Sequence, residues 1–307
     1  MTRLLKLGAF VTAVFSLLTL FDQWHRLLEL FSHFRLQYCV VAVTLAMGFV
    51  VLRDRNWALG MLAIAATNAW FVAPWYFGAT PLSPDPSTSF TILHANVYAH
   101  NNEHQLFIEL IRKEQPDVVF VQEIDEPLQT ALLVIHKDYP YREVVSRNDN
   151  FGIAVYSRLL LDSVVQHESP PFGYPSLIVT THIDSQLLTL ISTHPMPPIG
   201  RTEFDGRNQQ LQDTGELVNA APRPVVLIGD LNISMWAHHY GKLVEQTGLR
   251  NARAGFGILP SWPVHLPFAM IPIDQCLVSN NIGVVDIRTG PDIGSDHLPL
   301  IVTLTML

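Results

Sequence analysis

The first 80 residues hold three apolar runs in close succession, at residues 4–21, 36–52 and 57–77. Runs of this length rise far enough as helices to reach across a bilayer's hydrocarbon core. In lipid only a helix or a closed barrel satisfies its own backbone, so this part of the chain has little choice of structure. Three transmembrane helices are expected. A cleaved signal followed by two helices is the alternative, since Arg3 and Lys6 precede the first run. The stretch Phe21-Asp22-Gln23-Trp24-His25, however, has no small-residue cleavage site. Arg3 and Lys6, together with Arg53 and Arg55 in the turn between the second and third runs, outnumber Arg26 and Arg35 in the loop at 22–35. The positive-inside rule then places everything after residue 77 outside the cytoplasm. Trp57, Trp70, Trp75 and Tyr76 fit interfacial positions around the third helix.

Composition divides the chain in the same place. Mean hydropathy is +0.23 and only 15% of residues are charged, against about 25% for soluble domains. The apolar excess lies in the first 80 residues. Residues 81–307 carry 13 basic and 24 acidic residues, a net of −11. That lacks the basic footprint of a protein gripping nucleic acid through its phosphates, and clustered carboxylates suit a divalent cation. Pro81, Pro84 and Pro86 among small polar neighbours mark a linker at 79–88. The expected division is therefore a membrane region at 1–78, the linker, and a catalytic domain at 89–307. Cys39 and Cys276 fall on opposite sides of that boundary and are not expected to pair.

After the linker, short apolar runs alternate with polar stretches. Strands are expected at 90–97, 117–123, 152–156, 176–181, 187–193, 225–228, 274–278 and 300–304, with helices at 103–114 and 208–218. This pattern reads as an α/β domain with mixed sheets. Polar residues recur where the strands end. Asn96, Glu123 and His194 follow their strands, and Asp230 and Asn232 follow 225–229. Asp274 opens one strand, and Gly294-Ser295-Asp296-His297 precede the last. Strand ends along one edge form the natural floor of a site. Taken singly, each residue also fits ordinary turn chemistry. Arg207, just before a helix, could reach a phosphate or could be a solvated helix start. His238 and His239 read as surface residues.

Six stretches in this order resemble the endonuclease/exonuclease/phosphatase superfamily, the DNase I-like metal-dependent phosphodiesterases. They are Ala95-Asn96-Val97, Val121-Gln122-Glu123, Ser192-Thr193-His194, Gly229-Asp230-Leu231-Asn232, Ile273-Asp274 and Gly294-Ser295-Asp296-His297. With three apolar runs ahead of them, they look like a membrane-anchored bacterial branch. The resemblance implies a four-layer α-β-β-α sandwich and an inner-membrane protein with its catalytic domain on the periplasmic or extracellular side. It also implies roles. Glu123, with Asn96 and Asp296, would hold Mg²⁺ or Mn²⁺, as one ion or two. His194 and His297 would flank the phosphate, with Asp274 orienting His297. Asp230 would align or deprotonate the attacking water, or else serve Asn232, and Asn232 would donate to a phosphate oxygen. The substrate class implied is a phosphate ester, of a lipid headgroup or of nucleic acid, with no obligate protein partner. A catalytically silent binding module with the same fold is the rival reading, yet no matched position is missing.

Overall fold

The computed structural model describes residues 2–78, 82, 83, 85 and 87–307. The expected linker at 79–88 lies in large part outside the described residues. Helix α1 (Thr2–Leu18) runs on through a 3-10 segment to Trp24. A short helix α2 (Arg26–Ser32) then meets α3 (Arg35–Val51) at a 62° bend, and α4 (Arg55–Val72) continues as a 3-10 turn to Tyr76. Two helical stretches, Thr2–Trp24 and Arg55–Tyr76, are long and apolar enough to cross a membrane, and a third joins them if the bent pair counts as one span. The segment read as a loop at 22–35 is thus largely helical. Ala9, Ala42, Ala46, Phe49, Ala58 and Met61 are buried within the bundle, while Leu4, Phe10, Met47, Val50 and Leu59 face outward. An outward apolar face is what lipid tolerates and water does not. Lys6 pairs with Asp54 at 2.7 Å at the end of the bundle remote from the remaining domain.

That domain contains twelve strands. These are β1 (Ser89–Asn96), β2 (Val118–Gln122), β3 (Tyr141–Val145), β4 (Ile153–Ser157), β5 (Leu161–Ser169), β6 (Tyr174–Ile183), β7 (Gln186–Ser192), β8 (Val225–Asp230), β9 (Arg250–Asn251), β10 (Asp274–Val278), β11 (Ile282–Thr289) and β12 (Leu300–Met306). They form two six-stranded sheets, ordered β11-β12-β1-β2-β4-β3 and β5-β6-β7-β8-β10-β9. The sheets repeat one plan. In each, a parallel pair (β1 with β2, β7 with β8) sits at the centre between antiparallel neighbours. A helix bridges each parallel pair, α5 (His104–Glu114) in the first and α7 (Arg201–Ala220) in the second. A parallel pair needs such a crossover.

Side chains alternate along every strand, so one set faces the other sheet and one faces the helices. Ile92, Phe120, Val155, Leu190, Ile228, Cys276 and Val302 fill the space between the sheets. Leu93, Val119 and Ala154 pack outward against Phe107 and Ile111 of α5 and Leu128 of α6 (Glu126–Ala131). Leu227 and Leu277 pack against Leu211 and Val218 of α7 and Leu243 of α8 (His238–Thr247). The result is the expected four-layer α-β-β-α sandwich. Cys276 is buried between the sheets and Cys39 lies in α3, both as free thiols.

Candidate active site

The interior face between the sheets changes character at one edge. Along β1 it runs Phe90, Ile92, His94, Asn96; along β2, Val118, Phe120, Gln122; along β8, Val226, Ile228, Asp230. Along β7 it runs Leu188, Leu190, Ser192, reaching His194 just beyond the strand. The apolar period therefore ends in polar residues at the carboxyl ends of both parallel pairs. Antiparallel pairing adds the rest. Asp274, the first residue of β10, lies opposite Asp230, the last of β8. Leu300 of β12 lies opposite His94, which brings Asp296 and His297 back over the end of β1. Residues more than a hundred positions apart converge because the fold places these strand ends together.

Three of the residues lining this edge have left-handed backbones, Tyr98 (φ +57°), Glu123 (+63°) and Asn232 (+51°). Each conformation costs of order 1–3 kcal/mol and clusters at functional sites. At Glu123 it turns a residue of the wrong strand parity into the cleft. Gly229 answers a different demand. A Cβ there would lie 2.2 Å from the Thr193 carbonyl oxygen and 2.7 Å from Gln122 Nε2. Gln122 ties the two sheets together, donating to Thr193 O (2.8 Å) and accepting from Asp230 N (2.9 Å).

The cleft has a volume of about 170 Å³, and Glu123, His194, Asp230, Asn232, Asp296 and His297 line it. Asp230 is central. Its Oδ2 lies 3.4 Å from His194 Nε2 and 3.6 Å from His297 Nε2, and it accepts from Asn96 Nδ2 at 3.3 Å. Its Oδ1 accepts the Asn232 backbone N–H at 2.8 Å. His297 donates through Nδ1 to Asp274 Oδ2 (2.8 Å), and His94 donates through Nε2 to Asp274 Oδ1 (3.0 Å). Asp274 thus sits fully buried between two imidazoles. Burial alone would lower the His297 pKa. The Asp274 and Asp230 carboxylates outweigh it and raise the group to about 10. Burial would likewise lower His194, but its contact with Asp230 prevails and its pKa rises. Burial would raise Asp274; the two histidines instead hold it well below the usual carboxylate range.

Asn232, which lines the cleft, donates through its amide to Pro195 O at 2.9 Å. Trp262 donates its indole N–H to Asp296 Oδ2 at 2.9 Å. Glu123 accepts from Asn96 Nδ2 (3.0 Å) and from the Ala99 backbone (3.0 Å). It pairs with no Lys or Arg among the described residues, and no Lys or Arg lines the cleft. Three carboxylates in a small space, with the two imidazoles against Asp230 and no Lys or Arg near Glu123 and Asp296, fit a hard cation. Among the described residues, no three His, Cys, Asp or Glu side chains by themselves form a metal cage.

The structure revises the expectation for Arg207 and adds contacts at Asn96 and His239. Asn96 Nδ2 donates to Glu123 Oε1 and Asp230 Oδ2, while its Oδ1 accepts the Tyr98 N–H at 3.1 Å. Arg207 does not face the cleft. It is fully buried, pairs with Glu29 of α2, and donates to the backbone carbonyl of Asn232. His239 is half-buried, with its Nδ1 3.2 Å from Glu29 Oε2. Sequence reasoning also passed over His94, which shares a strand face with Asn96 two positions on. The i, i+2 spacing was there to signal it. It passed over Trp262 too, which no local pattern marks.

A two-sheet sandwich that delivers carboxylates and paired imidazoles to one strand-end cleft defines a class, the hydrolases that work on phosphate-bearing substrates. Residues 93–297 match the model of the Endonuclease/Exonuclease/phosphatase family. The chain belongs to this family and is a hydrolase acting on phosphoric ester bonds. Among solved structures, it is similar to D. rerio TDP2 complexed with a single-strand DNA product (16% identity, TM-score 0.62, covering 71% of this chain and 99% of that one). It is also similar to sphingomyelinase C from Streptomyces griseocarneus (16%, 0.55, 72% and 99%), and to the human Nocturnin catalytic domain with bound sulfate (18%, 0.58, 73% and 97%). Compared by sequence with curated proteins, the chain has no significant match.

Proposed function

We propose that this protein is a divalent-metal-dependent phosphodiesterase held at a membrane by its first helices. The observation that carries the reading is Asp230 between His194 and His297, with Glu123 in the same cleft. Glu123 and Asp296, with Asn96 beside them, would hold Mg²⁺ or Mn²⁺, which supplies Lewis-acid activation of the phosphoryl oxygen and stabilises the leaving oxygen. His297, kept as an imidazolium by Asp274, and His194 flank the phosphate and offset its charge. Asp230 orients and deprotonates the attacking water. Asn232 donates to a phosphate oxygen as charge develops.

The cleft walls favour a lipid phosphodiester over nucleic acid. Pro197 and Trp262 line the cleft, and the loops that carry them also hold Ile199 (79% exposed) and Phe268 (78% exposed). Both loops are tied to the apolar helices, through Arg26 Nη1 donating to Ile199 O (3.0 Å) and Gln37 Nε2 donating to Met270 O (2.8 Å). Apolar tips beside a lipid-facing bundle suit a substrate whose tails stay in the bilayer. The net of −11 in residues 81–307 gives no support to a phosphate-gripping surface. Lys6, Arg53 and Arg55 belong to the end of the bundle remote from the cleft, in support of a catalytic domain on the periplasmic or extracellular side.

Purified full-length protein with Mg²⁺ or Mn²⁺ should hydrolyse phospholipid vesicles and bis(p-nitrophenyl) phosphate in preference to single-stranded DNA or RNA. Glu123→Ala, Asp230→Ala and His297→Ala should each abolish turnover while the protein remains folded. Undiminished turnover in all three would overturn the mechanism, and DNA or RNA as the better substrate would overturn the lipid assignment. A cytoplasm-dependent reporter fused after Leu307 should stay dark, and signal from it would reverse the orientation.

A further inference from the structure

The cleft has a second layer behind it, and part of that layer comes from the apolar helical region. Asn232 lines the cleft on a left-handed backbone. Its own carbonyl oxygen points the other way and accepts from Arg207 Nη1 at 2.8 Å. Arg207 is completely buried. Its Nε donates to Asn208 Oδ1 at 2.8 Å, and its Nη2 pairs with Glu29, itself 1% exposed on α2. The other Glu29 oxygen faces His239. Two further contacts bind the same loop to the same segment. The Asp22 carboxylate accepts the His238 backbone N–H at 2.9 Å, and His33 Nδ1 lies 2.8 Å from Ser234 Oγ. Asp22, Glu29 and His33 thus grip the stretch from Asn232 to His239, of which Asn232 lines the cleft.

A buried guanidinium needs a counter-charge, and Glu29 is the one carboxylate that pairs with Arg207 among the described residues. The planar fork suits this place because it can serve a carboxylate and a carbonyl at once, which a lysine ammonium cannot do in the same geometry. Every kink in that arrangement moves the Asn232 backbone, and a donor displaced by a fraction of an ångström loses much of its value to a developing charge.

We infer that Glu29 and Arg207 are positioning residues of the active site, through which the seating of the helical region sets the reach of the Asn232 amide. The inference rests on the proposed role of Asn232 as phosphate donor. It makes the helical region a working part of the enzyme as well as an anchor.

The test uses full-length protein in lipid nanodiscs, with Mg²⁺ and bis(p-nitrophenyl) phosphate. Arg207→Lys should lower kcat about 10- to 100-fold, less than the roughly 10²- to 10³-fold lost when an oxyanion donor is removed outright because the donor is displaced and not deleted, with KM changed less than about threefold, because the loss falls on charge development more than on binding. The paired change Glu29→Leu with Arg207→Met replaces the ion pair with apolar groups of similar bulk. It should keep the melting temperature near that of the wild type yet show the same kcat loss. A purely structural clamp would restore activity along with stability. If the paired variant does not fold, Arg207→Lys carries the test alone. In an Asn232→Ala background, Arg207→Lys should cost less than about twofold more, since both changes remove one contribution. Wild-type kcat in the folded paired variant, or losses that multiply with Asn232→Ala, would overturn the inference. Full activity of Asn232→Ala would overturn the donor role of Asn232 and this inference with it. An inactive Asn232→Ala beside a fully active Arg207→Lys would sink the positioning role alone.

Discussion

Asp274 shows how much one buried carboxylate can do at the scale of a residue. Its two oxygens are both committed, to His94 and to His297. Asp274→Asn keeps the shape but removes the charge that raises His297, so turnover should fall about 10²- to 10⁴-fold, the usual worth of acid–base assistance. Steady-state kinetics on the purified variant checks this. The same pair sets a pH dependence of stability. His297 has a folded pKa of about 10, above its ordinary 6.5. Its contribution is complete below 6.5 and is lost as pH rises through 10. Asp274 is depressed below its ordinary 3.8, so its share is present above that value and fades only in strong acid. In EDTA-treated protein, the wild type should therefore lose more melting temperature between pH 6.5 and 10 than His297→Gln does. Cation binding has its own signature. Mg²⁺ at about 100 times its dissociation constant should stabilise the fold by roughly 2.7 kcal/mol. A thermal shift of equal size in Glu123→Ala would remove Glu123 from the ion's shell.

Elements explain why those residues meet. The eight strands legible in the sequence are β1, β2, β4, β6, β7, β8, β10 and β12, the interior strands of both sheets. The four that escaped notice, β3, β5, β9 and β11, are the four edges. An edge strand is covered on fewer sides, so its side chains need not be apolar. β5, for instance, is exposed or half-buried at every position but its last. Helix α8 escaped for a related reason, because its start at His238 and His239 is held by Asp22 of the 3-10 segment after α1 and by Glu29 of α2, and its apolar face is short, chiefly Tyr240 and Leu243. The close approach of β8 to the end of β7 is tested at Gly229. Gly229→Ala forces a Cβ against the Thr193 carbonyl. It should cost about 1–3 kcal/mol, the usual range for overpacking, and should reduce activity by shifting Asp230. Thermal melts and kinetics together would show it, and a neutral variant would mean that the two strand ends part easily.

The whole molecule joins an apolar bundle to a hydrolase through buried polar contacts, and truncation tests that joint. A fragment beginning at residue 89 lacks Glu29 and leaves Arg207 without its counter-charge. Breaking a pair that stays buried costs about 3–5 kcal/mol, and an Arg207 partly uncovered by loss of the helices keeps a share of that cost. Arg207→Met should therefore raise the melting temperature of the fragment while failing to raise that of the full-length protein. Equal effects in both would show that Glu29 does not neutralise Arg207.

By itself the sequence determined the apolar helices, the interior strands, and the list of polar residues at strand ends, because hydrophobic period and turn chemistry are local properties of a chain. Tertiary structure decided which of those residues share a cleft, that His94 and Trp262 join them, and that Arg207 belongs behind the cleft with a carboxylate 178 positions away. The physical reason is that pairing and burial are settled by whatever surface arrives from elsewhere in the chain, and no window along the sequence contains that surface.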